Sequence, residues 1–442
     1  MAQDIGFSDF PSKTGEHGSR QPSDPPFLFE RVEEKLLRRL RQECGGENPL
    51  KGRMPGKDAV RIRSNDYLCL AGDQRVIDAE VAALNQMGHG DSVSRVWGHH
   101  QKDRLRAFEE RVAALTRAED AVLCSSGYTA NVGLIQAMAG PTTPVYLDLK
   151  AHMSLWEGVS SAKAVGHAFR HNDAEHLTRL IERHGPGLIV VDALYSTDGA
   201  VCSLLDFANV SERMGCVLIV DETHSFGTHG PEGAGMVVAE GLADRVHFRT
   251  IGLSKAVASR GGIVACSRRN AEFFRYQSYP SIFSTTVLPH EVAGYNAVLD
   301  IFAREDWRRH QLHRNHSYLR SRIAALGYNI EHSHSQIISL EPGEPRRLLV
   351  LRDALESRGV FGSVFTPPAT PDRRCLIRFT VNCGLTIDEL DHVVRVCRDI
   401  RDEVGMSGWR STQRLPRKAA TNLPTSARLT PNAIAAEPQP SN

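Results

Sequence analysis

The sequence has little that would tie it to a polyanion, a membrane or an oxidising compartment. Its 53 Lys and Arg are offset by 52 Asp and Glu, a formal net charge of +1, so no strong field draws it to nucleic acid. No apolar run approaches the ~20 residues of a bilayer-spanning helix, and the opening MAQDIGFSDFPSKTGEHG lacks the apolar segment of a secretory signal. The nine cysteines, among them Cys44, Cys69, Cys124, Cys216 and Cys266, include no C-x-x-C pair, and several sit inside apolar runs as small hydrophobes. A reducing, cytoplasmic setting is therefore expected. His99, His100 and His229 have no metal-like spacing with cysteines or carboxylates, so no metal is assigned. GHGDSV and GPEGAG do not continue into a dinucleotide fingerprint, which weighs against a nicotinamide dehydrogenase.

What is present is an ordinary globular chain of 442 residues, 41% hydrophobic and 24% charged, long enough for two or three structural units. Residues 1–26, rich in Pro, Ser, Gly and Asp, predict a disordered leader. FLFERVEEKLLRRLRQE, from Phe27, has helical spacing and opens an N-terminal helix and arm over 27–75. Over 76–300 the short apolar runs AVLC, PVYLDL, GLIVVDALYS, CVLIVDE and IVACS alternate with helix-length segments. Strands apolar on both faces and separated by helices predict an α/β domain whose mostly parallel sheet is covered on both sides. Residues 301–405 predict a smaller α+β domain. It has a helix in WRRHQLHRNHSYLRSRIAAL, strands in IISLEP and CLIRFTVN, and a closing helix that Thr386 and Glu389 open as a capping box. Residues 406–442 read as a flexible tail with a solvated basic cluster, Arg414, Arg417 and Lys418.

The chemistry gathers where strands end. In CVLIVDETHSFGTHG an apolar run stops on Asp221, and a carboxylate at the mouth of an apolar core needs a positive partner. His152 follows VYLDL, Ser196 follows LIVVDALY, and Ser125, Ser126, Gly127 and Tyr128 lead from AVLC into a helix whose N-terminus suits a phosphate. Lys255 sits among Gly252, Ser254, Ala256, Gly261 and Gly262, a cramped setting in which desolvation makes a nucleophilic amine. A lysine for a Schiff base, an acid for a pyridinium nitrogen and a helix end for a phosphate meet the needs of pyridoxal 5′-phosphate (PLP). Taken singly, Asp221 serves equally as a helix cap, and His224 and His152 as ordinary hydrogen-bonded histidines. Arg378, inside the apolar CLIRFTVN, needs an anion, and a substrate carboxylate or a buried Asp would both serve.

From about Ser64 to Val404 the strings SNDYLCLA, SSGYTANVG, DLKAHMSLWEG, YSTDG, VDETHSFGTHG, the lysine segment, IFSTTVLP and IRFTVN occur in one order. In these the chain resembles the α-oxoamine synthases, PLP enzymes of the aminotransferase-like fold type I that condense an amino acid with an acyl-CoA. AHMSLWEG, RHGPGLIVVDALYST, EGAG and GVFGSVFTPPAT are most similar to the CqsA-type quorum-sensing autoinducer synthases. The resemblance implies that Lys255 binds the cofactor and removes the α-proton, that Asp221 pairs with the pyridine nitrogen and that His152 stacks on the ring. It places Ser196 and His224 near the phenolic oxygen, and Gly127, Tyr128 and Ser254 on the cofactor. Thr286 would reach the phosphate from a neighbouring subunit of a homodimer, and Arg378, with His152 and Thr370, would take the substrate. Gly252 stands where the family has Thr or Ser, three residues before the lysine, and Pro367-Pro368-Ala369-Thr370 replaces a Pro-Pro-Thr. The implied reaction joins a medium-chain acyl-CoA to S-adenosylmethionine, with decarboxylation to an α-aminoketone. The alternatives are a simple amino acid (glycine, alanine or 2-aminobutyrate) as donor, or a non-catalytic binding protein on the same fold.

Overall fold

The computed structural model describes residues 25–37, 40–41, 44–97, 102–371 and 373–413. By its contacts the chain divides after Asn48. In the first unit a short helix, Pro26–Val32, begins one residue before the expected start and widens into a π-helical turn, Glu33–Leu37. Residues 1–24, nearly all of the expected leader, lie outside the described residues, as do Arg414, Arg417 and Lys418.

The second unit is built on a seven-stranded sheet. Its strands are β1 (Asp120–Cys124), β2 (Pro144–Asp148), β3 (Val165–Phe169), β4 (Leu188–Asp192), β5 (Val217–Asp221), β6 (Phe248–Gly252) and β7 (Gly262–Cys266). They lie in the order β1-β7-β6-β5-β4-β2-β3. All pairs are parallel except the two made by β7. Buried on both faces, β4 and β7 contain no outward polar residue, hence the unbroken LIVVD and GIVAC. Five of these strands match the expected apolar runs; β3 and β6 do not. β3 is an edge strand with four of its five residues at least partly exposed. β6, FRTIG, breaks the apolar pattern with Arg249, which is buried all the same. The Arg249 guanidinium donates to the carbonyl of Thr116 and lies beside Glu222, which offsets part of its desolvation.

Two helices position the site: α1 (Gly127–Met138) follows β1, and α2 (Met153–Ser161) follows β2. A third, α3 (Pro289–Arg304), runs through the boundary expected at 300/301 into α4 (Trp307–Ala325). The C-terminal part adds an antiparallel sheet of β8 (Ile337–Gly343), β9 (Ser363–Phe365) and β10 (Cys375–Thr380), ordered β9-β10-β8. It closes with α5 (Ile387–Asp399), where the expected capping box forms: the Thr386 hydroxyl accepts the Glu389 N–H and Glu389 accepts the Thr386 N–H. One apolar cluster joins the two parts, running from Tyr67 and Ile251 to Ile377 and Trp409. Trp409 corrects the expectation of a loose tail from residue 406. It is 1% exposed, packs on Tyr328 with ring centres 5.8 Å apart and donates through Nε1 to the Val404 carbonyl at 3.0 Å. Apolar burial of this kind holds a short segment that has no period of its own. Among the described residues no helix is long and apolar enough to cross a membrane.

Candidate active site

β4 and β5 are in register so that Asp192 and Asp221, their last residues, lie side by side at the carboxyl edge of the sheet. Both are buried, and two adjacent buried carboxyls cannot both ionise cheaply. Burial, and then the charge of Asp221, pushes the Asp192 carboxyl well above its usual range. Asp221 is held by hydrogen bonds. Its Oδ2 accepts from Asn131 Nδ2 at 2.7 Å and its Oδ1 from the Thr223 N–H at 2.8 Å.

The network continues from α1 to α2. Asn131 Nδ2 also donates to Ser154 Oγ at 2.8 Å, and Ser154 Oγ lies 2.7 Å from His152 Nδ1. That ring nitrogen also caps α2 by accepting the Ser154 N–H at 3.3 Å, so both contacts treat Nδ1 as an acceptor. Desolvation in the cavity, against the pull of Asp221 and with Lys255 adding to it, lowers the pKa of His152, although its side chain stays open to solvent. The His152 backbone N–H donates to Asp192 at 3.1 Å. His224 is handled likewise. Tyr67, whose hydroxyl burial keeps protonated, donates to His224 Nδ1 at 2.6 Å, while burial and Lys255 hold the imidazole well below its ordinary pKa.

Lys255 follows β6 in a tight turn. Burial, and then the nearby Arg378, push its amine down to about 8, against the opposing pull of Asp221. Arg378, on β10, is buried and donates to the Ser196 carbonyl at 2.8 Å and to Asn65 Oδ1 at 3.0 Å, with its guanidinium 4.6 Å from the centre of the Phe365 ring. No carboxylate among the described residues pairs with it, and its Nε has no partner. Of the two anions open to it in the sequence, no Asp among the described residues serves.

These groups line one cavity of about 400 Å³. Lys255, Asp221, His152, His224, Ser196, Gly127, Tyr128, Ser254 and Arg378 all face it, so nine of the expected residues come together. Two do not. Thr286 lines a separate small cleft with Arg95, Ser125 and Ser284, and Thr370 is buried with its hydroxyl unpaired, away from the cavity lining. Sequence reasoning missed Asn131, Ser154, Asp192, Thr223, Tyr67 and Arg260. Asp192 had a usable signal, since LIVVD ends as VLIVD does. Asn131 had none beyond lying one helical turn into α1.

The cavity fits PLP. At one end α1 starts, with Ser126 Oγ capping the Thr129 N–H at 3.0 Å; the N–H groups of Gly127 and Tyr128, which have no intrahelical acceptor, are left for an anion. A Cβ on Gly127 would lie 2.6 Å from Gly252 Cα, so bare backbone forms this end of the cavity. Asp221 offers a carboxyl, Lys255 a primary amine and His152 an imidazole ring within the same space.

The comparisons agree. Residues 57–396 match the family described as aminotransferase class I and II. The CAI-1 autoinducer synthase of Vibrio campbellii is 38% identical over 376 residues, 85% of this chain and 95% of that one. A serine palmitoyltransferase of Caulobacter vibrioides is 30% identical, covering 81% of this chain and 90% of its own length. Among solved structures, a variant serine palmitoyltransferase from S. paucimobilis with a bound PLP–myriocin aldimine superimposes with a TM-score of 0.79 at 26% identity, covering 86% of this chain and 99% of that one. The chain belongs to the aminotransferase class I and II family, as a PLP-dependent enzyme of the α-oxoamine synthase group, with the fold-type I architecture of that family.

Proposed function

We propose that the protein condenses a medium-chain acyl-CoA with S-adenosylmethionine, releasing CoA and CO₂, to give the α-aminoketone precursor of a quorum-sensing autoinducer. The observation that carries an amino-acid substrate is Arg378. It is a buried guanidinium with no carboxylate partner among the described residues, opening into the cavity that holds the low-pKa Lys255. The choice of autoinducer chemistry is supported by the higher identity to the CAI-1 synthase than to the Caulobacter palmitoyltransferase.

When bound, PLP supplies an electron sink for the charge that develops on the amino acid's α-carbon. Asp221 would hold the ring nitrogen, His152 would cover one ring face, Ser196 and His224 would flank the phenolic oxygen, and the Gly127 and Tyr128 amides with Ser254 would hold the phosphate end. Arg378 would bind the substrate carboxylate and fix the α-carbon beside Lys255. Nζ of Lys255, with its lowered pKa, takes the α-proton and returns one after CO₂ has left. The lowered pKa values of His152 and His224 disfavour an imidazolium that would compete with Arg378 for the carboxylate.

The enzyme acts as a cytoplasmic homodimer in this reading, with Thr286 serving the neighbouring subunit. Tyr276, Tyr279 and Phe283, all largely exposed on the segment leading to Thr286, supply an apolar surface for that interface. A simple amino acid as donor is the second reading, since Arg378 and Lys255 would treat any α-amino acid alike. Mass spectrometry of products from a panel of acyl-CoAs and amino donors tests both. An unsaturated aminoketone with methylthioadenosine, formed only from S-adenosylmethionine, is the expected result. Aminoketones from simple amino acids alone would favour the second reading, and no CoA release with any pair would overturn acyl transfer.

A further inference from the structure

Three positions from separate parts of the chain meet at one end of the cavity: Gly127 opening α1, Gly252 ending β6, and Thr223 just past Asp221. A Cβ on Gly252 would lie 2.9 Å from Cγ2 and 3.1 Å from Oγ1 of Thr223, closer than side-chain atoms ordinarily pack. Neither Gly127 nor Gly252 is at positive φ, so space rather than backbone freedom demands glycine at both. The volume that a residue-252 side chain would occupy is filled by Thr223. Its Oγ1 accepts the Gly252 N–H at 2.8 Å. A hydroxyl that accepts one hydrogen bond still has its own proton to donate, and no described residue takes it, although Thr223 lines the cavity.

We propose that Thr223 and Gly252 are an exchanged pair: the hydroxyl missing at residue 252 is supplied from residue 223 and donates to a phosphate oxygen of bound PLP. The direction follows from the neighbours. Gly252 abuts Gly127, the first residue of α1, where the helix dipole and free amides favour an anion. The contact also makes the two positions sterically interdependent. A serine at 252 collides with the threonine already there, and an alanine at 223 leaves a gap and no hydroxyl. The inference rests on PLP binding alone and is indifferent to which acyl and amino donors the enzyme uses.

The test titrates the apoenzyme with PLP and, separately, with pyridoxal, which lacks the phosphate. The chains compared are the wild type, Thr223→Val, Gly252→Ser, and the double variant Thr223→Ala with Gly252→Ser. Thr223→Val keeps the shape and removes the donor, so PLP affinity should fall about tenfold or more, while pyridoxal affinity stays within about twofold. Gly252→Ser alone should also weaken PLP, and the double variant should return to within about threefold of wild type, a strong departure from additivity. Unchanged PLP affinity in Thr223→Val, an equal loss for both ligands, or a double variant as weak as its two singles combined would each overturn the proposal. Should Thr223→Val apoenzyme fail to fold, the double variant decides alone.

Discussion

The pKa of Lys255 can be measured without any substrate, and two neighbours should move it in opposite directions. Burial and Arg378 bring the amine from its ordinary 10.5 to about 8. At pH 7.5 about a quarter of such lysines are neutral, against about one in a thousand for an unperturbed lysine, and only the neutral form can accept the α-proton. Competitive acetylation of the apoenzyme between pH 6 and 11, read by peptide mapping at Lys255, should show a midpoint near pH 8. Arg378→Met removes a like charge and should raise the midpoint. Asp221→Asn removes an opposite charge and should lower it. The unfolded chain holds this proton up to about pH 10.5, so between about pH 8 and 10.5 it binds more protons than the folded one. The contribution of Lys255 to apoenzyme stability therefore rises with pH across that window. A midpoint above pH 10, or shifts of the same sign in both variants, would refute the electrostatic account of the lysine.

The same Arg378→Met substitution should raise the KM for the amino acid at least tenfold, the loss of a charge-assisted contact, and leave the KM for acyl-CoA within about twofold; steady-state kinetics with each substrate varied in turn checks this. Asn131→Ala strips Asp221 of its 2.7 Å partner and Ser154 of its 2.8 Å donor. Denaturant unfolding should show a loss of about 1–3 kcal/mol. Trp409→Ala empties a fully buried site between Val404 and Tyr328 and should cost about 3–5 kcal/mol in the same assay; a loss below about 1 kcal/mol would mean that the C-terminal turn does not pack as described. Asp192→Asn removes a buried carboxyl whose pKa the fold raises. Its folded pKa is raised, so the wild-type carboxyl loses stability as pH climbs above about 3.8, its unfolded value. The melting temperature of the variant relative to wild type should therefore increase with pH from about 4 upward, and a difference that shrinks instead would contradict a raised pKa at Asp192.

Much of this architecture was legible because a mostly parallel sheet covered by helices buries both faces of its strands, so AVLC, VYLD, LIVV and VLIV announce themselves as unbroken apolar runs. The site was legible for a related reason: residues that close such runs, or begin the helix after them, fall on one edge of the sheet, which brings Asp221, His152 and Gly127 into a single cavity. β6 was hidden because Arg249 sits in its middle, stabilised by the Thr116 carbonyl and Glu222, partners that are distant in sequence or on another strand. The Tyr67–His224 and Arg378–Asn65 contacts were hidden for the same reason. Each joins the arm after residue 49 to a distant segment, and no local period encodes such a pairing.

Asp192 and Asp221 show how far pattern reading reaches. LIVVD and VLIVD are nearly the same string, end at the same level of the sheet and deliver carboxyls that neighbour each other. Nothing in either string says how each carboxyl is hydrogen-bonded. The difference lies in what reaches them from other elements. Asp221 receives the Asn131 amide from α1 and the Thr223 N–H, whereas Asp192 receives one backbone N–H, that of His152, and its pKa is raised by burial and by Asp221 beside it. Burial and the neighbouring Asp221 raise the pKa of Asp192, and its hydrogen bond anchors the loop that carries His152. Asp221 shares the cavity with Lys255 and Arg378, and its carboxyl is available to a cationic ring nitrogen.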